Sequence, residues 1–364
     1  MSSPSSSRLA SLPSTSIPGR TTVCLRNKGP PKVQIKLRIP YPSDGIDAGV
    51  ELVGILARVE KEQPSGSSEA GSTSTATVPS ISAASSSFEP RASTGNTQPA
   101  RPIALILHGL FAHKDQLYHR ALVDALDIDS FRFDFRGNDE SSGEWRLGDM
   151  AANYRDLNMI VEYLRKNYNY WIEIIIAHSR GAGIAWEYFA KECGERTHPA
   201  RRVPFLASMS ARWYPPGILD LPRYANIGAE GRDWSAKVAG KSVTKHVTAA
   251  DVMQAAKHAV QDYANSFPTT SEVLIVHGTR DDIVPTSAAA GFVNAVAKRG
   301  VRLRLHLIDG ADHNYRGHFA EAVDAVCDWL CERRGAKSSP NTLTLESSWQ
   351  SSVENNAAAS KGRL

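Results

Sequence analysis

The segment Ile172-Glu173-Ile174-Ile175-Ile176 runs directly into Ala177-His178-Ser179-Arg180-Gly181. A short apolar run, then small residues around a serine, then helix-compatible residues predict a buried strand that breaks sharply and re-emerges as a helix. The serine stands at the apex of that turn, in strained backbone, with its hydroxyl presented above the sheet. Such strain asks for small residues two positions to either side. Gly181 meets the demand, and Ala177 meets it less comfortably. Alone, a serine between a strand and a helix is more often an N-cap. Two further signals decide the reading. His277-Gly278-Thr279-Arg280-Asp281 places an acid after a second apolar run, and Gly310-Ala311-Asp312-His313 places a histidine in a later loop. Serine, aspartate and histidine in that order, each just past a strand, form a constellation for nucleophilic acyl chemistry.

The roles follow from the chemistry. Ser179 is the candidate nucleophile. His313 takes its proton and returns it to the leaving group. Asp281 fixes the tautomer of His313 and stabilises the imidazolium. Asp282 competes with Asp281 and ranks behind it on motif position. His318 is expected in the following helix, too late for the base. Two backbone N–H groups are needed for the developing oxyanion, and those of Arg180 and of Leu110, in His108-Gly109-Leu110-Phe111, are the candidates. Losing one such donor typically costs about 3–4 kcal/mol of transition-state stabilisation.

Around these residues the pattern alternates. Ile103–Leu107, Phe131–Phe135, Ile172–Ala177, Val203–Met209, Val273–Val276 and Leu303–Leu307 read as strands. Helical stretches are expected over 114–126, 149–168, 286–299 and 317–333, and another follows Ser179. Repeated β-α units of this kind imply an α/β fold with a mostly parallel central sheet covered by helices on both faces. Lys36–Tyr41 and Glu51–Glu60 read as two additional strands ahead of it. Residues 213–271 break the alternation. They show no convincing strand, carry Pro215-Pro216 and Pro222, and end in a helical segment from about Thr248 to Phe267. A small helical cap over the site is expected there, with Trp213 and Tyr214 as candidate wall residues, although core packing is the stronger reading of both.

Residues 1–30, 62–100 and 336–364 are Ser-, Pro- or Ala-rich and short of large apolar side chains, so they are expected to be disordered, leaving a domain over 31–335 interrupted by the 62–100 insertion. Hydrophobic residues make up 41% of the 364, enough for a sizeable core, and the formal charge of +4 is not gathered into a patch, which speaks against nucleic acid as a partner. Residues 1–43 hold seven basic and no acidic residues, the composition of a mitochondrial leader or of a basic tail. A cytoplasmic home is the first expectation. No run of 18 apolar residues predicts a membrane span. Cys24, Cys193, Cys327 and Cys331 match no zinc pattern, and Cys327 and Cys331 are expected on one face of the last helix. Ser235–Ser242 resembles a phosphate loop but lacks its first glycine and follows no strand. No cofactor and no metal are expected.

Taken together, Leu107-His108-Gly109-Leu110, Phe133-Asp134-Phe135-Arg136-Gly137-Asn138, Ala177-His178-Ser179-Arg180-Gly181, His277-Gly278-Thr279-Arg280-Asp281 with Val284-Pro285, and Gly310-Ala311-Asp312-His313-Asn314-Tyr315 resemble the α/β-hydrolase superfamily. Within it the likeness is to the serine-aminopeptidase-like (S33-type) hydrolases that include cinnamoyl and feruloyl esterases, over about residues 31–335. The resemblance implies a serine hydrolase acting on esters of small or medium acyl groups, aromatic ones included, through an acyl-enzyme. Thioester or amide cleavage and acyl transfer run on the same triad, and a non-catalytic binding protein on the same fold is the alternative of another class. Two positions depart from the pattern: Ala177 replaces the usual Gly, and Asp139 stands where a Gly is normal.

Overall fold

A computed structural model describes residues 29–60 and 100–336, so the tails and most of the insertion expected to be disordered lie outside the described residues. Ten strands appear in it, β1 (Lys32–Pro40), β2 (Glu51–Val59), β3 (Arg101–Leu107), β4 (Asp129–Phe133), β5 (Tyr170–His178), β6 (Phe205–Met209), β7 (Arg232–Val238), β8 (Lys241–Val247), β9 (Glu272–Gly278) and β10 (Leu303–Ile308). The helices are α1 (His119–Ala125), α2 (Met150–Tyr168), α3 (Arg180–Glu192), α4 (Ala249–Ala256), α5 (Val260–Asn265), α6 (Ser287–Lys298) and α7 (Phe319–Ala336).

Eight strands form one sheet in the order β1-β2-β4-β3-β5-β6-β9-β10. β1–β2 and β2–β4 pair antiparallel, and every pair from β4 to β10 is parallel. The continuous apolar strands are continuous because both faces are covered. Leu105, Leu107, Ile172 and Ile175 point to a core shared with α2, α3, α5 and α6, while Ala104, Ile106, Ile174 and Ile176 point to one shared with α1 and α7. Glu173 interrupts the run without breaking it. It sits at a register shift between β3 and β5, buried, and its carboxylate receives Arg334 from α7 at 2.8 Å.

From β3 the chain goes to β4 on one side and then to β5 on the other. The C-terminal ends of β3 and β5 therefore border a topological switch point, where ligand sites of open α/β sheets form. Asp149 caps α2 by accepting from the Ala152 N–H, and Asn169 ends it in the left-handed conformation at φ 54°.

Three expectations need correcting. The excursion over 213–271 does contain strands: β7 and β8 pair as an antiparallel hairpin beside the helices expected there. Their side chains alternate between solvent and a small cluster around Val247 and Val252, so no apolar run announces them. The phosphate-loop look-alike Ser235–Ser242 is the tip of this hairpin. The helix expected from Thr248 to Phe267 is two helices, α4 and α5, parted at Lys257–Ala259, where His258 turns to meet Glu187 at 3.1 Å. The helix expected from Lys114 begins only at His119, because Lys114 is drawn into the core by Asp134, which accepts from both its N–H (2.7 Å) and its Nζ (2.6 Å). On α7, Cys327 is buried and Cys331 exposed, so the two do not share an environment. Among the described residues, no helix is long and apolar enough to cross a membrane.

Candidate active site

The turn after β5 has the strain its sequence predicts. Ser179 sits at φ 52°, ψ −113°, a conformation costly for any residue with a Cβ, and its hydroxyl makes no capping bond to α3. The turn is this tight because the neighbouring backbone is close. A Cβ on Gly181 would lie 2.6 Å from the His108 carbonyl oxygen, so glycine alone fits. Ala177, the less comfortable neighbour, is fully buried in β5 and accommodated.

Above the turn the three candidates meet. His313 Nε2 lies 3.0 Å from Ser179 Oγ, and His313 Nδ1 lies 2.8 Å from Asp281 Oδ2. Asp281 is buried, whereas Asp282 faces solvent. The other oxygen of Asp281 accepts from the N–H groups of Ile283 (2.9 Å) and Val284 (2.7 Å). Burial opposes ionisation of this carboxyl, yet hydrogen bonds from His277 and His313 outweigh it and hold Asp281 below the usual carboxylate range. An ionised Asp281 requires the Nδ1–H tautomer of His313, which leaves Nε2 free to accept the serine proton. His318, the rejected alternative, lies just ahead of α7 and faces Glu321.

Leu110 and Arg180 line the same cavity as Ser179, His178 and His313. Arg180 is the first residue of α3, whose opening N–H groups have no partner within the helix. The loop bearing Leu110 runs tightly past the elbow, since a Cβ on Gly109 would stand 3.3 Å from that of Ser179. Trp213 and Tyr214 do not reach this wall. Trp213 packs edge-on against Phe292 of α6, 5.1 Å between ring centroids, and Tyr214 is exposed. The aromatic residues that do line the cavity are Phe111 and Tyr224.

With this geometry in hand, the comparisons are direct. Residues 102–240 match the family model of the alpha/beta hydrolase fold, and residues 256–336 match that of the prolyl oligopeptidase family. The chain has the α/β-hydrolase fold. The hydrolase is 27% identical over 234 residues to an uncharacterised protein of Saccharomyces cerevisiae, covering 59% of this chain and 69% of that one. It is 23% identical over 231 residues to the monoacylglycerol lipase of Mycolicibacterium smegmatis, covering 58% and 81%. Among solved structures, Est1E from Butyrivibrio proteoclasticus with ferulic acid bound aligns at a TM-score of 0.57 and 20% identity, over 82% of this chain and 99% of that one. The Pyrococcus furiosus esterase Pf2001 aligns at 0.51 and 16%, over 84% and 97%. These structural likenesses speak for the fold.

Several residues of the candidate site are not announced by the sequence. His277 Nε2 lies 3.2 Å from Asp281 Oδ2 and 2.9 Å from the Val284 carbonyl oxygen, so Asp281 is held by two histidines. The spacing of four between His277 and Asp281 was the available signal. His178 Nε2 lies 2.9 Å from the carbonyl oxygen of His313, which also accepts from Ser210 Oγ at 3.1 Å. Burial pushes the His178 pKa down to about 3, so this ring is neutral, donates from Nε2 and adds no charge beside His313. His108 is likewise neutral, pushed down to about 4 by burial; its Nε2 accepts from the Phe135 N–H at 3.0 Å, and its Nδ1 donates to the Gly109 carbonyl at 2.8 Å. It thereby fixes the loop that carries Leu110. Asp139, at the position where the family pattern has glycine, has φ 38°, the left-handed region that glycine favours and aspartate tolerates.

Proposed function

We propose that this hydrolase cleaves carboxylic esters of small or medium acyl groups by a serine acyl-enzyme route. The observation that carries the reading is the unbroken relay Asp281–His313–Ser179, with contacts of 2.8 and 3.0 Å. Ser179 Oγ attacks the ester carbonyl while its proton passes to His313 Nε2. The tetrahedral oxyanion is met by the N–H groups of Leu110 and Arg180. Collapse breaks the ester C–O bond, and His313 returns the proton to the departing alkoxide. Water, deprotonated by His313, then releases the acid and restores the serine. A cavity of about 240 Å³ beside Ser179 supports small substrates, being just below the roughly 300–1,000 Å³ usual for small-molecule sites. Esterases and a lipase among the similar proteins support an ester rather than another acyl bond.

One observation favours a second reading. The match of residues 256–336 to the prolyl oligopeptidase family keeps amide cleavage on the same relay in play. The deciding experiment compares 4-nitrophenyl acetate, 4-nitrophenyl butyrate and an aminoacyl 4-nitroanilide on wild type and Ser179→Ala, with fluorophosphonate labelling of both. The expected result is ester turnover and labelling in the wild type, with turnover reduced about 10⁴- to 10⁶-fold and labelling lost in the variant. Anilide turnover exceeding ester turnover would favour the peptidase reading. A folded wild type that neither turns over nor labels would sink both.

A further inference from the structure

The wall of the cavity carries a charge pattern that ester hydrolysis alone does not require. Among the described residues, Arg180, Arg212 and Arg223 line it, and no aspartate, glutamate or lysine does. Elsewhere the chain neutralises its buried guanidiniums. Arg132 is paired with Asp115 at 2.7 Å, and Arg136 with Asp47 at 2.5 Å and Asp156 at 2.7 Å. Arg223 is exposed, whereas Arg180 and Arg212 are half-buried and meet neutral partners instead. Arg180 donates to Asn153 Oδ1 (2.9 Å) and to the carbonyls of Leu147 (2.5 Å) and Arg146 (3.3 Å). Arg212 donates to the Ile283 carbonyl at 2.7 Å. Burial pushes the Arg180 pKa down to about 10 and lowers that of Arg212; a guanidinium is cationic at neutral pH. The negative charges they feel at longer range are already engaged: Asp149 caps α2, and Asp281 holds His277 and His313. The Tyr224 ring stands in the field of all three arginines.

A half-buried cation without a counter-ion is costly unless something supplies the missing charge. Carbonyl tethers orient a guanidinium without neutralising it. They also leave N–H groups unused, since the fork has five donors. A planar group with two anionic oxygens matches what remains, by paired charge-assisted hydrogen bonds.

We propose that the hydrolase takes an ester whose non-reacting end bears a carboxylate, bound by the arginines of the cavity wall, with Arg212 as the principal contact. This rests on the esterase reading above and narrows its substrate class. The acyl transfer is unchanged; the carboxylate anchors the substrate while Ser179 attacks the ester at its other end.

Two matched pairs test it. In the first the charge lies on the acid side: 4-nitrophenyl hydrogen adipate against 4-nitrophenyl hexanoate. In the second it lies on the alcohol side: butyryl 4-hydroxybenzoate against butyryl 4-hydroxybenzamide. The readout is the ratio of kcat/KM, charged over neutral, within each enzyme, so a variant of lower stability does not distort it. In the wild type the ratio should reach about tenfold in one pair, as a charge-assisted hydrogen bond provides. It should shrink as ionic strength rises. In Arg212→Gln it should fall toward one, and Arg212→Lys should restore part of it. Neutral esters turned over with a ratio at or below one in both pairs would overturn this inference and leave the esterase reading standing. A ratio indifferent to salt and to Arg212→Gln would also overturn it. Absence of both turnover and fluorophosphonate labelling would remove the esterase reading, and this inference with it.

Discussion

Strand β5, which leads directly into Ser179, and the hairpin β7–β8, which packs behind the cavity wall, are built on opposite burial patterns. Eight of the nine residues of β5 are buried, while each hairpin strand buries only its last residue. The strand is held from both faces by helices. The hairpin is held by a small apolar cluster, by Trp234 against Phe111 and Tyr224, and by two lysines: Lys245 donates to the Gly137 carbonyl at 2.6 Å, and Lys241 lies 3.7 Å from Asp139. The candidate reacting groups thus follow strands of the central sheet, while the hairpin lends no residue to the cavity wall and only backs Phe111 and Tyr224, which do line it. Chemistry should therefore be lost without loss of stability at the sheet, and stability should change without loss of chemistry at the hairpin.

The largest expected effect tests the first half of that contrast. His313→Gln keeps the bulk of the side chain but not the base, and should lower kcat/KM for an ester at least about 10⁴-fold. Thermal unfolding should move by only a few degrees. A variant that keeps a tenth of the activity would break the assignment of the base and with it the comparison. Gly181→Ala comes next and acts on both properties. Its Cβ would meet the His108 carbonyl oxygen at 2.6 Å, a backbone atom that moves only with the elbow. A destabilisation of about 1–3 kcal/mol in denaturant unfolding is expected, together with a fall in kcat.

The third prediction concerns the joint between the two regions. Lys114 is buried among Asp134, Asp139 and Glu140, and Asp139 also faces Lys241 of the hairpin. Hydrogen bonds from Lys114 and Lys36 pull the Glu140 pKa down to about 2, below an ordinary value near 4.5. A carboxyl depressed in the folded state contributes stability that is complete above its unfolded pKa and is lost as pH falls through its folded one. Glu140→Gln should therefore cost roughly 1–3 kcal/mol at neutral pH, and the difference from wild type should shrink between about pH 4.5 and 2. Unfolding curves across that range check it. A pH-independent difference would mean that Glu140 acts through packing rather than charge.

The same contrast explains what could be read from the sequence. Ile103–Leu107 and Ile172–Ala177 are visible because burial on both faces demands an unbroken apolar run, and the elbow is visible because strain demands small residues. The order of Ser179, Asp281 and His313 follows from the order of the strands that carry them. The hairpin was invisible for the opposite reason. Arg232–Val238 and Lys241–Val247 are half solvated, and a two-stranded ribbon draws its stability from neighbours that the sequence does not name. The supporting histidines were missed because His108, His178 and His277 act through carbonyls and a carboxylate brought near by the fold. Trp213 takes the ordinary fate of such a residue, core packing, because Gly291 of α6 leaves a space that the indole fills.

The smallest effect is the most discriminating. At the hairpin tip Ala239 has φ 48° and Gly240 φ 78°, so both central residues of the turn are left-handed. A two-residue hairpin turn of this hand favours Asn-Gly, and alanine in the first position is strained. Ala239→Asn should relieve about 0.5–1 kcal/mol. If the hairpin opens on its own, that gain appears locally: hydrogen exchange at Val238 and Lys241 slows about two- to fivefold, and the global unfolding midpoint hardly moves. If the midpoint rises by the full equivalent, hairpin and sheet unfold as one unit. The lysine contacts to Gly137 and Asp139 would then bind the two regions more tightly than their burial patterns suggest.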